Sequence, residues 1–397
     1  MSFNESSLGD WLRVEHGFAF KGEHFAEIGK YIVLTPGNFH EAGGFRARPG
    51  KDRYYAAAFP ERYLLFKGDL IVAMTEQGEG LLGSAALIPE SSMYLHNQRL
   101  GLVKEHADIA DRRYLYYLFN SELVRQQIRN SSSGAKVRHT SPERIYDVKV
   151  HVPRKGIQEK IAAILSGYDE LIENNQRRIA LLEKMAEEIY REWFVRMRFP
   201  GHEKVKFIKG VPEGWEIKKL GSVLEFCYGK ALKDDDRVSG EFHVYGSSGV
   251  VGTHNEALVK TPGLIVGRKG NVGSVYWSDR GFFPIDTVYY VKSELPNSFL
   301  YFLLRSMNFI NNDAAVPGLN RNQAYSNLFF LPPAQLIKRY VEIADSLFKM
   351  KRVLTRKNEY LTSMRDKLLP RLISGKLSVE HLDIQFPPGM EESAHAN

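Results

Sequence analysis

The residues best suited to do chemistry in this sequence lie in short glycine-rich stretches. In GLIVGRKGNVGS, from Gly263, the polar residues Arg268, Lys269 and Asn271 stand among glycines 267, 270 and 273. Arginine and lysine suit guanine edges, asparagine suits adenine, and glycine lets backbone come close to a nucleic-acid strand. VYGSSGVVG adds Tyr245, Ser247 and Ser248, and PGLNRN adds Asn320, Arg321 and Asn322. In the first half of the chain, FRARPGKDRYY carries Arg46, Arg48, Lys51 and Arg53, and AKVRHT carries Lys136, Arg138 and His139. Any one of these is equally readable as a solvated surface group.

A further stretch, GDLIVAMTEQGEGLLGS, contains Gly78-x-Gly80-x-x-Gly83, the spacing of a dinucleotide fingerprint. Such a fingerprint needs a helix opening inside the glycines and an acidic residue about twenty positions on. Here Pro89 would interrupt that helix early, and the matching stretch GLIVGRKGNVGS lacks the spacing. The loop is better read as the counterpart of the Arg268 turn, with Thr75, Glu76 and Gln77 as its polar residues.

Several chemistries lack their motifs. There is no GxxxxGK[ST], no HExxH, no clustered Cys/His spacing, no Gly-x-Ser-x-Gly and no Asn/Asp-Pro-Pro-aromatic segment. A single cysteine, Cys227, excludes a disulfide framework and fits a reducing compartment. No apolar run is long enough to span a membrane. The N-terminal MSFNESSLGDWL shows no secretory pattern, so a cytoplasmic protein is expected. The net charge of +7, from 54 basic and 47 acidic residues, permits a polyanionic partner without demanding one.

The elements that must position these loops occur twice. LGDWLRVEHGFAF, from Leu8, aligns with LGSVLEFCYGKAL at an offset of 212, and LIV at 70–72 with LIV at 264–266 at 194. Later pairs follow at 190, 188, 185 and 184, ending with VPRKGIQEKIAAIL against LPPAQLIKRYVEIA at 179. Offsets falling in order from 212 to 179 indicate a tandem duplication whose second copy has lost 33 loop residues. Each copy reads as β-rich strands plus a short helix, as at YLYYLFNSELVRQQI, followed by a long helix opened by proline.

The first long helix has a heptad seam running from Ile161 to Trp193 through Leu182, broken by Asn175. The second runs from Tyr340 to Leu372 through Leu361, with Lys351 and Arg365 interrupting it and Asn358 as its counterpart polar position. Such an asparagine either fixes register or is solvated. The expected fold is α+β: two β-rich domains in tandem, separated by two long helices paired as an antiparallel coiled coil, a rod with a module near each end. The expected divisions are 1–152, 153–199, 200–331, 332–380 and a disordered tail at 381–397.

Over about residues 8–380 the chain resembles specificity subunits of Type I restriction–modification systems. The resemblance rests on the two helical stretches beginning VPRKGIQEKIAAIL and LPPAQLIKRYVEIA, on the junction FPGHEKV…GVPEGWE, and on VYGSSGVVGTHNEA, GLIVGRKGNVGSVYW, FPIDTVYYV and PGLNRN. It implies a non-enzymatic subunit whose two target-recognition domains each read half of a split double-stranded DNA site. Two adenine methyltransferase subunits would be held by the helices, with restriction subunits as further partners. S-adenosylmethionine and ATP would then belong to those partners, and this chain would carry no cofactor, metal or catalytic residue. Asn175, Leu182, Trp193, Phe194, Asn358 and Leu361 become candidates for partner contact, although Trp193 and Phe194 could simply pack on the second helix. Asp286 and Thr287 match the family's Asp-Thr pair and suit loop support as well as contact. A coiled-coil adaptor joining two protein-binding modules, or an enzyme with an unrecognised site, stays open as an alternative.

Overall fold

A computed structural model describes residues 4–76, 80–134, 137–309 and 318–387. Gln77 and Lys136 lie outside the described residues. The α-helices among those residues are α1 (Arg112–Phe119), α2 (Glu122–Asn130), α3 (Pro142–Tyr146), α4 (Lys155–Tyr190), α5 (Asn297–Ser306), α6 (Arg321–Ser326) and α7 (Ala334–Ile373). The chain forms two compact units, one of residues 1–173 with 359–397 and one of residues 174–358. Each therefore holds a β-rich module and a stretch of both long helices.

In the first unit a four-stranded antiparallel sheet has the order Leu12–His16, Leu100–Glu105, Leu70–Ala73, Ala85–Leu87. The strand Leu70–Ala73 is buried on both faces. Leu70 and Val72 join the core formed with α1, α2 and α4, while Ile71 and Ala73 join a separate core on the opposite face. That is why LIVA is a continuous apolar run rather than an alternating one. A second sheet, sharing the core on the Ile71 face, joins Phe25–Ala26, Tyr54–Tyr55, Tyr31–Val33 and Tyr94–Leu95.

The second unit repeats the main sheet as Leu224–Tyr228, Val288–Ser293, Gly263–Gly267, Val275–Ser278. Even the register carries over. Val14 faces Val103 as Phe226 faces Val291, and Ile71 faces Ala86 as Ile265 faces Tyr276. Those pairs are related by the offsets 212, 188, 194 and 190 read from the sequence. The flanking pair Asn4–Ser7 with Lys149–Val152 likewise becomes Glu216–Lys219 with Leu328–Leu331.

Two sequence expectations change. The expected single helix over YLYYLFNSELVRQQI is two, α1 and α2, because the Asn120 side chain accepts from Ala85 N and donates to Ala85 O at the break. The segment expected as a disordered tail from 381 is packed as far as it is described, together with the residues just before it. Val379 is buried, Ile384 and Phe386 pack on the first core, and Lys160 Nζ donates to the carbonyls of Glu380 and Leu382.

Within each unit the two helix stretches run antiparallel. In the first, Arg365 donates to Asp169 at 2.6 Å, and Tyr117 Oη donates to the other Asp169 oxygen at 2.6 Å. In the second, Asn175 Nδ2 donates to Asn358 Oδ1 at 2.8 Å, and Lys351 donates to Glu183 at 2.6 Å. Asn358 is not the repeat equivalent of Asn175, as the seam pattern suggested, since the offset of 179 makes it the equivalent of Ile179. The two amides meet because antiparallel helices bring a residue near the middle of one against a residue near the middle of the other.

Candidate nucleic-acid interface

In the second unit, three loops converge at the ends of the main sheet. Gly270 has φ +77°, and a Cβ there would sit 2.9 Å from Ser247 Oγ, so the Arg268 turn and the Ser247 turn touch. Ser274 Oγ and Tyr276 Oη both donate to the Ser247 carbonyl, at 2.9 and 3.0 Å, which fixes that second turn from below. Leu319 N donates to Arg268 O at 2.8 Å, bringing the stretch before α6 alongside.

The Arg268 guanidinium lies 5.0 Å from the Tyr228 ring centroid and donates to the Asp286 carbonyl at 3.0 Å. Arg321 lies 5.3 Å from the same ring and donates to Phe226 O. Tyr228 is thus shared by two cations, which holds both guanidiniums at the rim while leaving donors free. Lys269, Asn271, Ser248 and Asn322 are exposed around them. The structure thereby brings together most of the polar residues singled out in this half of the sequence.

Two of those residues do other work. Tyr245 is 6% exposed, packed edge-on to Phe282 in a small core, and burial raises its phenol pKa. It lies on a strand, Phe242–Gly246, and its ring supports the loop from inside rather than facing out. Asn320 spends its side-chain carbonyl as the N-cap of α6, accepting from Asn322 N and Gln323 N. Asp286 supports Arg268 through its main chain, and Thr287 O accepts from the N–H of Arg268 and of Lys269.

The first unit has the same frame with different residues. Thr140 N donates to Met74 O as Leu319 N donates to Arg268 O, and Thr75 pairs with His139 where Lys269 bridges to Gly318. Thr75 Oγ1 lies 3.1 Å from His139 Nδ1. Glu76 is buried and accepts from Leu81 N and Leu82 N, so its role is to close the glycine loop. Arg125, which sequence reading passed over, braces that loop by donating to Glu41 O and Gly80 O. Arg138 is half-buried and pairs in strand register with Glu76. Arg46 and Lys51 are exposed, while Arg48 and Arg53 line a cavity of about 230 Å³ together with Thr35, Pro36, Gly37, Thr75, Leu81 and Arg99.

The candidate partner residues on the helices mostly face inward. Asn175, Leu182 and Phe194 are buried, and Phe194 packs on Tyr340 and Phe299 at 5.2 and 5.1 Å. Trp193 is half-buried against Tyr340, and Leu361 is half-buried. A heptad seam is by construction the face that meets the sibling helix, so a seam residue is a poor choice for an outside partner. The exposed apolar residues on the helices include Leu181 and Met185 on α4, and Met350 and Val353 on α7, spaced four and three apart.

Among the described residues, no group of three His, Cys, Asp or Glu is placed to hold a metal ion, and no helix is long and apolar enough to cross a membrane.

The Type I restriction modification DNA specificity domain family matches residues 2–184 and 212–361, once on each module with its adjoining helix. Two specificity subunits from Methanocaldococcus jannaschii are similar to the chain. The MjaIX type I restriction enzyme subunit is 25% identical over 309 residues, covering 68% of this chain and 70% of that protein. The MjaVIII subunit is 22% identical over 345 residues, covering 77% and 78%. The crystal structure of an S subunit from M. genitalium superposes with a TM-score of 0.59 at 18% identity, over 93% of this chain and 96% of that one, and so shares the fold. The chain belongs to the Type I restriction modification DNA specificity domain family, with two tandem copies of the domain, and its function is DNA recognition.

Proposed function

We propose that each module reads one half of a split duplex site, and that the long helices carry adenine methyltransferase subunits, with restriction subunits as further members of the assembly. The observation that carries this reading is the repeated loop frame. Two copies of one DNA specificity domain present the same sheet-end turns, and each turn is filled with a different set of polar residues, as two unlike half-sites require. In the second module the base-edge donors are Arg268, Lys269 and Asn271, with Ser247, Ser248, Arg321 and Asn322 beside them. In the first they are Thr75 and Arg138, with Arg46, Arg48, Lys51 and Arg53 as the phosphate-facing set.

Methyl transfer and DNA cleavage fall to the partners in this reading, together with S-adenosylmethionine and ATP. The partner surface on the helices is the outward one that includes Leu181, Met185, Met350 and Val353, rather than the seam. The assembly works in the cytoplasm, where the host DNA is. A protein-binding adaptor is the weaker reading, because it has no use for a two-cation cluster over an exposed tyrosine at a glycine turn.

The deciding experiment measures binding of the full chain, with its methyltransferase partner, to duplexes carrying two half-sites at varied separation. Recognition of one sequence pair at one separation supports the proposal. Indifference to both sequence and separation overturns it.

A further inference from the structure

Arg268 and Thr287 are cross-strand neighbours in the second module, where Arg268 N donates to Thr287 O at 2.9 Å. The equivalent bond in the first module runs from Met74 N to Arg99 O at 3.0 Å, at the same offsets of 194 and 188. The cation has therefore changed sides of a hydrogen-bonded pair. Met74 is 3% exposed and apolar, so it cannot take over from Arg268, whereas Arg99 is exposed.

The surroundings of Arg99 suit an acceptor-rich ligand. Its cavity of about 230 Å³ also receives Arg48 and Arg53, with Thr35 and Thr75 on the wall. Gly37 leaves room for the Arg48 guanidinium, since a Cβ there would lie 2.4 Å from Nη1. Among the described residues no carboxylate pairs with any of the three guanidiniums, and Arg53 has only the Phe25 ring, at 5.8 Å. Three guanidiniums around one cavity, with no carboxylate partner among the described residues, repel one another and attract an anion. A duplex supplies both a phosphate for Arg48 and Arg53 and, beside it, a base edge. An exposed arginine at a sheet end, with its fork free, fits the O6/N7 pair of guanine.

We propose that Arg99 is a further specificity-determining arginine of the first module, reading a guanine, with Arg48 and Arg53 holding the adjacent phosphate. The proposal rests on the two-module DNA reading above and adds to it a named residue and base.

The test offers the full chain, with its methyltransferase partner, a pool of duplexes randomised across both half-sites. Sequences retained by the parent protein, Arg99→Ala, Arg99→Lys and the control Arg62→Ala are then compared. Arg99→Ala should lose preference for guanine at one position of one half-site by roughly 10- to 100-fold, with the other half-site unchanged. Arg99→Lys should lose only part of it, and Arg62→Ala none. Should Arg99→Ala melt below the parent protein, Arg99→Lys and Arg99→Gln decide instead. Unchanged preference at every position overturns the proposal. So does an even loss of affinity across all sequences with a shallower salt dependence, which marks a phosphate contact. A parent protein that enriches no motif overturns the two-module reading itself, and the proposal with it.

Discussion

The phenolic oxygen of Tyr325 accepts a 2.8 Å hydrogen bond from the backbone N–H of Phe226. Its counterpart Tyr146 accepts one of 3.0 Å from Val14 N, at the same two offsets of 179 and 212. Each tyrosine lies over a glycine, Gly221 or Gly9, where a Cβ would come within 2.6 or 2.8 Å of the tyrosine Cβ. A short helix is thus locked onto the first strand of each main sheet, and the turn leading into that helix, which carries its N-cap Asn320 or Ser141, is held at the sheet end.

Tyr325→Phe should remove that lock while preserving the ring's stacking on Phe226, whose centroid is 5.7 Å away. The expected cost is about 1–3 kcal/mol, the penalty for a buried N–H left without its acceptor. Denaturant titration measures it, and a cost within error of zero would remove the tyrosine from this role.

The Asn175–Asn358 pair gives a second prediction. Asn358→Leu alone strands the Asn175 amide, which is 8% exposed, and should destabilise the helix pair by about 1–3 kcal/mol. Adding Asn175→Leu should recover most of that loss, since two apolar side chains need no partner. The double-mutant cycle reports the coupling directly, and additive losses would contradict it.

His96 supplies a pH dependence. It is 1% exposed, with its Nε2 2.9 Å from the Leu100 carbonyl, and burial lowers its pKa from 6.5 to about 4. Between those values the unfolded chain binds the proton and the folded one does not. The contribution is therefore complete above pH 6.5 and is lost as pH falls toward 4, at up to about 1.4 kcal/mol per unit. A His96→Gln variant should show a flatter decline in stability across that window. An unchanged slope would assign the acid sensitivity elsewhere.

Glu183 ties the second module to its helices. It accepts from Tyr301 Oη at 2.7 Å, from Arg305 at 3.1 Å and from Lys351 at 2.6 Å. Burial opposes its charge, but the Lys351 and Tyr301 hydrogen bonds outweigh that and keep its pKa below the ordinary value. Glu183→Ala leaves a half-buried lysine and a buried tyrosine without their acceptor. It should lower the stability of the second unit by more than Glu188→Ala, a change at a half-buried position on the same helix. Equal effects would deny Glu183 a special place.

The drifting offsets carried much of the fold, because a duplicated sheet must keep its register or turn every strand's apolar face outward. Positions such as Val14, Val103 and Ile71 could therefore be matched from sequence to Phe226, Val291 and Ile265 of the second copy. The site was less legible. Tyr245 stands next to Gly-Ser-Ser-Gly and looks like a loop residue, yet it is the last inward-facing position of a strand. Asn320 precedes a helix too short to announce its own cap. Arg99 escaped notice because residue type does not align Gln-Arg with Asp-Thr, although the register does. Only backbone pairing shows that the two sit at one place in the frame.

The most direct measurement maps methylated adenines across the genome of a host supplying the methyltransferase partner, with the parent chain and with Arg268→Ala. The account predicts one split motif with a constant gap for the parent chain, and degeneracy confined to one half of it for the variant. Methylation without a common motif, or loss of both halves together, would contradict it.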